Sequence, residues 1–206
     1  MSTLTLHGFP ISTYVRTCRM AADEKGVAYE LDPTAPQTPE QLAQHPWGKV
    51  PAMTHGEVKL YEATAIASYI DNAFDGPALQ PTDAATRAKM HQCISVINCY
   101  LYQPSIVSIV IQRLVVPQHG GTADEAMIKA AIPDTEKALG VIDDALESTD
   151  YLVGNSLTLA DLFLLPITNY LSATAPEGQD LMSKTGNVNR WQDAMMSRES
   201  AKIALA

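Results

Sequence analysis

Hydrophobic and polar positions follow two different patterns along the chain. As far as about residue 75, stretches with the two-residue period of a strand alternate with stretches of helical period, and glycine or proline separates them. Residues 3–7 predict a strand, and residues 12–25 predict a helix that Gly26 closes as its C-terminal cap. This succession indicates an α/β unit. Its other predicted elements are a strand at 27–31, a short helix at 38–44, a hairpin of strands 50–55 and 58–61, and a helix through 66–74.

Helical periodicity dominates beyond a short linker. Residues 76–83 are rich in Gly, Pro and Asp, which is typical of a connecting segment. A helix follows, and Pro104 is predicted to bend it, because proline lacks an amide donor and crowds the preceding turn. We therefore predict an α/β domain over residues 1–75, a linker over 76–83, and an all-helical domain over 84–206.

Two helix starts in the second part carry a capping-box sequence, in which a Thr and an acidic residue three positions later satisfy each other's backbone donors. The first runs from Thr122 to Glu125 and the second from Thr158 to Asp161. The helix after Asp161 is apolar all round, so it is predicted to lie in the middle of a bundle. Asp161 is interpreted as a cap and not as a catalytic carboxylate. Trp191, in the last predicted helix of this part, is expected in the core.

The charge balance excludes some partners. The 206 residues include 14 Lys and Arg against 23 Asp and Glu, a formal net charge of -9. This excess of negative charge repels phosphate backbones and anionic lipids, so we expect no nucleic-acid partner and no membrane partner. No stretch reaches the roughly 18 apolar residues of a membrane span, and the N-terminus has no targeting pattern. We expect a cytoplasmic protein.

The cysteines and histidines show no ligand pattern. Three cysteines are too few for a disulfide framework and lack the two-residue gap of a zinc or redox site, which favours a reducing compartment. Five histidines lie far apart, so no metal site is expected. Motifs typical of nucleotide-binding loops, metalloproteases and serine hydrolases are absent. Cys18 is predicted to face the core.

One segment near the N-terminus combines the features of an anion site. A strand ends near Gly8, a turn follows, and Ser12 stands at the start of the predicted helix. The N-terminus of a helix favours negative charge, and a hydroxyl donor there would help a bound thiol to ionise. Taken alone, a serine at this position favours the simpler interpretation of a helix cap. A second feature is Pro51 at the start of a strand, where an unusual backbone lets the preceding residue offer its main-chain groups to a ligand.

Together these features resemble the cytosolic glutathione transferases over nearly the whole chain. That family has a thioredoxin-like domain with Val-Pro before its third strand and Glu-Ser-x-Ala-Ile at its last helix, followed by an all-helical domain with a Thr/Ser-x-Ala-Asp cap. The resemblance implies the same fold class here, an α/β thioredoxin-like domain followed by an all-α bundle. The matching residues are Val50-Pro51, Glu62-Ala63-Thr64-Ala65-Ile66, Thr158-Leu159-Ala160-Asp161, and Trp191 with Arg198.

The resemblance is greatest to serine-type, phi-like members and implies roles for individual residues. Ser12 would hydrogen-bond the glutathione sulfur and favour the thiolate, with Tyr14 as the rival hydroxyl. Val50 would pair its backbone with the cysteinyl part of glutathione, and Glu62 would hold the γ-glutamyl amine. The implied glutathione site comprises Lys49, Val50, Pro51, Glu62 and Ala63, and the implied pocket for the second substrate comprises Phe9, Ile11 and Tyr102.

The chain departs from the family pattern at three places. Ala63 stands where the family has a serine that contacts the γ-glutamyl carboxylate, which leaves the backbone N–H groups of the helix start for that task. Pro36-Gln37 replaces His-Lys. Lys49 replaces the usual Gln before Val-Pro and retains a donor for the glycyl carboxylate. These departures predict weaker or altered glutathione binding.

Three functional hypotheses follow. The first is an enzyme that conjugates glutathione, as co-substrate, to small hydrophobic electrophiles, in the homodimer that the resemblance implies. The second is a binding module of the same fold without conjugating activity, which Ala63 and Pro36-Gln37 motivate. The third is a glutathione-dependent isomerase, dehalogenase or peroxidase that uses the same thiolate.

Overall fold

The computed structural model describes residues 2–206, which form two compact units. The first unit runs up to Gln80 and includes Met196–Ala206, and the second is Pro81–Met195. The first is an α/β unit and the second is helical, so the predicted fold class is confirmed. The units differ from the predicted ranges 1–75, 76–83 and 84–206 mainly at the C-terminus, where the last helix belongs to the first unit.

The first unit is built on a four-stranded mixed sheet with the order β2-β1-β3-β4. Strand β1 pairs with β2 in parallel and with β3 antiparallel, and β3 and β4 form a hairpin. The parallel pair requires a crossover connection, which α1 supplies. This arrangement is the predicted thioredoxin-like fold. The bounds are Leu4–His7 (β1), Thr13–Lys25 (α1), Tyr29–Asp32 (β2), Pro39–Gln44 (α2), Ala52–His55 (β3), Val58–Tyr61 (β4) and Ala63–Ala73 (α3).

Local sequence explains the ends of these helices. Gly26 adopts the left-handed conformation, with φ of 70°, and donates its N–H to the carbonyl of Asp23, which ends α1 as predicted. Thr38 caps α2 by accepting the N–H of Gln41 at 3.2 Å. Cys18 is fully buried on α1, as predicted, and burial raises the pKa of its thiol far above the ordinary value.

The second unit is formed by helices of very different length. Two of its segments are π-helical, with backbone N–H groups bonded five residues back, as Tyr102 is to Ile97. The bounds are Ala84–Val96 (α4), Ile97–Leu101 and Gln103–Val115 (the two π-helical segments), Val116–Gln118 (α5), Glu125–Ala145 (α6), Leu159–Ala173 (α7), Glu177–Met182 (α8) and Gly186–Met196 (α9).

The long helix that opens this unit is bent, as the sequence predicts. Its halves, Ala84–Leu101 and Gln103–Gln118, meet at 47°. Pro104 lies in the first turn of the second half, where it removes an amide donor. Within residues 2–206 no single helix is long and apolar enough to span a membrane, and only this bent pair, with its halves taken together, has the length and composition for it.

The predicted capping box at Thr122–Glu125 is wrong. Helix α6 begins at Glu125, and its cap is Asp124, whose Oδ1 accepts the N–H of Met127 at 2.9 Å. Glu125 does not fold back onto the helix start, because both of its carboxylate oxygens accept hydrogen bonds from Arg113. An ion pair between helices has replaced the local box.

Asp161 is the centre of a buried hydrogen-bond network. Its carboxylate accepts the N–H and the hydroxyl of Thr158 at 2.9 and 3.1 Å, which confirms the second predicted capping box. It also accepts the N–H of Leu152 at 2.9 Å and the indole N–H of Trp191 at 3.0 Å. Burial raises the pKa of Asp161, although these four hydrogen bonds oppose the rise. Trp191 lies in the core, as predicted. Asp161 is itself fully buried and bonded to these internal donors, so the role of its carboxylate is structural.

The last helix, Glu199–Leu205 (α10), packs on α1 in the first unit. Arg19 donates hydrogen bonds to the carbonyls of Ile203 and Ala204, at 3.0 and 3.3 Å. Glu24 accepts two hydrogen bonds from Arg198, both at 2.7 Å, and one from the hydroxyl of Ser200. These contacts explain why the C-terminus does not belong to the helical unit.

Candidate active site

Ser12 lies immediately before α1, with extended backbone (φ -65°, ψ 131°). Its carbonyl accepts the N–H of Arg16 at 2.9 Å, which starts the helix, and its own N–H donates to the carbonyl of Phe9 at 3.1 Å. Its hydroxyl makes no capping hydrogen bond. The side chain therefore places a hydroxyl donor at the positive end of a 13-residue helix, where a thiolate would be stabilised.

The loop before Ser12 packs closely against Val50. Gly8 has φ of 150°, and a Cβ atom there would lie 2.6 Å from Cγ2 of Val15 and 3.0 Å from Cβ of Val50. Only glycine permits this approach, since a methyl group would overlap both side chains. The structure thus brings together the loop of Ser12 and the segment of Val50, two features that the sequence predicts separately.

Val50 and Pro51 lie at the end of the sheet and are joined by a cis peptide bond. The ladder begins at Ala52, which pairs with His7 on one side and with Tyr61 on the other. The main chain of Val50 therefore lies just beyond the paired strands and takes no part in their ladder.

Two glutamines hold the segment that precedes Val50. The buried Gln41 donates from Nε2 to the carbonyl of Lys49 at 2.6 Å. Gln37 donates from its N–H to the carbonyl of Gly48 at 2.9 Å and from Nε2 to the carbonyl of Trp47 at 2.8 Å. Gln37, noted above as a departure from the family pattern, is therefore an anchor of this turn. The side chain of Lys49 is exposed.

Glu62 and Ala63 form the start of α3. Glu62 has φ of 72° and ψ of 118°, a sparsely populated positive-φ conformation that costs a non-glycine residue on the order of 1–3 kcal/mol. Its carbonyl accepts the N–H of Ile66 at 3.0 Å. The Glu62 side chain is 65% exposed. The first N–H groups of α3 have no partner within the helix, so they form a positive site beside this carboxylate. Ala63 is buried.

His45, like Gln41, is a site residue that the sequence did not single out. Its Nδ1 accepts the N–H of Trp47 at 3.2 Å, its ring lies 4.9 Å from that of Tyr61, and its Nε2 is 3.7 Å from Oε1 of Glu62. Burial lowers the pKa of this imidazole; the charge of Lys49 adds to that effect, and Glu62 opposes it. The available signal was its position in a Pro-Trp-Gly turn directly before Lys49.

The predicted substrate-pocket residues belong to both units. Phe9 is half-buried, and Ile11 is 57% exposed in the same loop as Ser12. Tyr102 is a half-buried residue of the second unit, between the two π-helical segments. Their joint role in a pocket stays a prediction. Within residues 2–206, no three His, Cys, Asp or Glu side chains are grouped as ligands for a metal ion.

Family models match both parts of the chain. The model described as glutathione S-transferase, N-terminal domain, matches residues 6–78, and the one described as glutathione S-transferase, C-terminal domain, matches residues 102–199. Together these matches include the site residues described above and most of the helical unit.

Individual relatives agree over nearly the full length. Glutathione S-transferase F4 of Arabidopsis thaliana is 30% identical over 97% of this chain and 83% of its own length. The crystal structure of glutathione transferase F7 from Populus trichocarpa has a TM-score of 0.88 and 30% identity, and the match covers 98% of each chain. A maize glutathione S-transferase I, solved in complex with an atrazine glutathione conjugate, has a TM-score of 0.86 and 28% identity over 98% of this chain and 96% of its own.

Proposed function

The chain belongs to the glutathione S-transferase family, and we propose that it conjugates reduced glutathione to small hydrophobic electrophiles, with Ser12 stabilising the glutathione thiolate. One observation carries the proposal. The Ser12 hydroxyl is not used by the helix that it precedes, and its loop packs against the segment of Val50. A donor, a helix N-terminus and an unpaired stretch of main chain are therefore close together in one unit.

The proposed chemistry requires little from the protein. The thiol loses its proton to solvent, and the thiolate accepts a hydrogen bond from the Ser12 hydroxyl while the N-terminus of α1 contributes its field. The sulfur then attacks the electrophilic carbon, so that an S–C bond forms as a leaving group departs or as an activated double bond takes up a proton. Phe9 and Ile11 would hold the electrophile beside the sulfur.

We assign the parts of glutathione to the groups that match them chemically. The main chain of Val50 would pair with the cysteinyl part, and the exposed carboxylate of Glu62 would bind the γ-glutamyl ammonium. The N–H groups at the start of α3 would bind the γ-glutamyl carboxylate, which compensates for the missing hydroxyl at Ala63. Lys49 would bind the glycyl carboxylate.

Two alternatives differ from this proposal in chemistry. A binding module without activity was suggested by Ala63 and Pro36-Gln37, but Gln37 anchors the turn before Lys49, and relatives over the whole chain are named as transferases. A glutathione-dependent isomerase, dehalogenase or peroxidase would use the same thiolate, and analysis of the products separates it from a conjugating enzyme. We also propose a homodimer located in the cytoplasm, on the family resemblance alone.

The variant Ser12→Ala tests the proposal. A hydrogen bond to a charged group is worth about 1.5–3 kcal/mol, so we expect kcat/KM for conjugation to fall about tenfold to a hundredfold. The pKa of bound glutathione, followed by the ultraviolet absorbance of the thiolate, should rise by about one to two. Ser12→Thr retains a hydroxyl and should keep part of the activity, and Tyr14→Phe should behave as the unmodified protein. Unchanged turnover in Ser12→Ala would move the role to another donor.

A further inference from the structure

His45 is a buried side chain to which the proposed chemistry gives no role. It is 2% exposed and lies directly after α2. Its Nδ1 accepts the N–H of Trp47, and its ring lies 4.9 Å from that of Tyr61, tilted by 43°. Two contacts from different segments therefore hold the imidazole in one orientation.

This orientation decides which ring nitrogen carries the proton. Because Nδ1 accepts an amide hydrogen, the proton of the neutral ring resides on Nε2. Nε2 is 3.7 Å from Oε1 of Glu62, longer than a hydrogen bond but within reach of a small side-chain movement. The Glu62 side chain is 65% exposed, so a buried donor lies beside a solvent-exposed acceptor.

We propose that His45 is a positioning residue for Glu62, whose carboxylate it holds, through Nε2–H, in the place where that carboxylate binds the γ-glutamyl ammonium of glutathione. This inference rests on the proposed function, in which Glu62 binds that group. The backbone of Glu62 is already fixed at the start of α3. A side chain restrained in advance has less conformational entropy to lose when the ligand binds, so restraint increases affinity.

Protonation of His45 would undo this arrangement in two ways. A proton on Nδ1 would face the Trp47 N–H, so that two donors oppose each other and their hydrogen bond is lost. The resulting imidazolium would also compete with the ligand ammonium for Glu62. The charged groups that act on the ring are Glu62 and Lys49, and the titratable group packed on it is Tyr61. Burial keeps the ring neutral at neutral pH, so the competition belongs to acid solution.

Calorimetric titration with S-methylglutathione between about pH 7.5 and about pH 5 tests the inference. This probe carries the γ-glutamyl ammonium but has no ionisable thiol, so thiol ionisation does not contribute to the profile. For the unmodified protein we expect the dissociation constant to rise about fivefold towards acid pH, as expected for one partly exposed charge pair. His45→Gln, whose neutral amide donates at every pH, should retain the neutral-pH affinity and lose the pH dependence.

Two further variants separate positioning from general folding effects. His45→Phe keeps a ring but removes the donor, so it should bind the probe more weakly at neutral pH and raise KM for glutathione more than it lowers kcat. Glu62→Gln should remove the pH dependence, because the carboxylate that responds is gone. If His45→Phe does not fold, the pH dependence of probe binding by His45→Gln is sufficient to test the inference. An acid-side rise that persists in His45→Gln overturns the inference, whereas absence of probe binding by the unmodified protein at every pH overturns the proposed function and this inference together.

Discussion

Asp23 lies half-buried on α1, and its Oδ2 is shielded from solvent and has no hydrogen-bond partner. Burial raises the pKa of this carboxyl to about 6; Glu24 adds to the rise, and the charge of Arg19 and a hydrogen bond from Tyr29 oppose it. Since the pKa in the folded state exceeds the ordinary value of 3.8, the folded protein binds the proton more tightly. The stability that Asp23 contributes is therefore present below pH 3.8 and lost as the pH rises through about 6.

Asp23→Asn should remove this dependence, because an amide resembles the protonated acid and does not ionise. At about pH 7.5 we expect the variant to be more stable than the unmodified protein by about 1 kcal/mol, less than the full shift implies because the carboxyl is half in solvent. Below about pH 4 the two free energies of unfolding should converge. Urea unfolding of the variant and of the unmodified protein across this pH range measures both free energies. A difference between them that stays constant with pH would contradict the raised pKa of Asp23.

The residues of the candidate site differ in how far the sequence predicts them. Ser12 and Pro51 mark events in the local backbone, a helix start and a strand start, which their neighbours in the chain reveal. Gln41 acquires its partner Lys49 only after the turn between α2 and β3 has formed. His45 acquires Glu62 only after the sheet has brought the end of α2 beside the start of α3. Apart from the Pro-Trp-Gly turn that follows His45, no local pattern distinguishes such side chains from ordinary helix and turn residues.

Among the elements, the start of α6 shows how a contact between helices overrides a local pattern. The residues Thr122 and Glu125 have the spacing of a capping box, and that spacing was all the sequence could show. In the folded unit Arg113 binds Glu125 and also Glu177, so the acidic side chain that would close the box is already engaged. Asp124 then supplies the cap. The existence of α6 was predictable from periodicity, whereas its cap depended on the other helices.

Paired alanine variants at this helix start test the assignment. Asp124→Ala removes the acceptor for the N–H of Met127 and should lower the free energy of unfolding by about 1 kcal/mol. Thr122→Ala serves as the matched control and should change it by less than about 0.5 kcal/mol, because Thr122 lies outside the helix. Chemical denaturation of both variants measures the difference. A larger loss of unfolding free energy in Thr122→Ala than in Asp124→Ala would contradict this assignment and support Thr122 as the cap.

At the scale of the whole molecule, the two fold classes were predictable, but the place of the last helix was not. In the first part of the chain the hydrophobic positions alternate between the two-residue period of a strand and the period of a helix, whereas the rest has the helical period alone. This difference separates an α/β unit from a helical one. The periodicity of residues 199–205 suits either unit. The contacts that Arg19 and Glu24 make from α1 place this helix in the first unit. In the sequence these two residues are separated from α10 by nearly the entire chain.

Glu24 with its donors Arg198 and Ser200 is therefore the place to measure how much the C-terminal segment stabilises the first unit. The Glu24 side chain is only 12% exposed. Burial alone would raise its pKa, but the hydrogen bonds from Arg198 and Ser200 outweigh that effect and hold the pKa below the ordinary value. Arg198→Met removes the cation and leaves a mostly buried carboxylate with one partner. We expect it to lower the free energy of unfolding by about 2 kcal/mol.

A double-mutant cycle separates this pair from a general effect of either substitution. With Glu24→Gln as the second change, the double variant should be more stable than the sum of the single losses predicts, by about 1 kcal/mol or more, because the uncompensated charge is gone. Lys184→Met, which breaks the exposed pair with Glu136, is the control and should cost less than about 1 kcal/mol. Strictly additive losses would mean that α10 is held by its apolar contacts and by Arg19, and that the Arg198–Glu24 pair contributes nothing to joining the two ends of the chain.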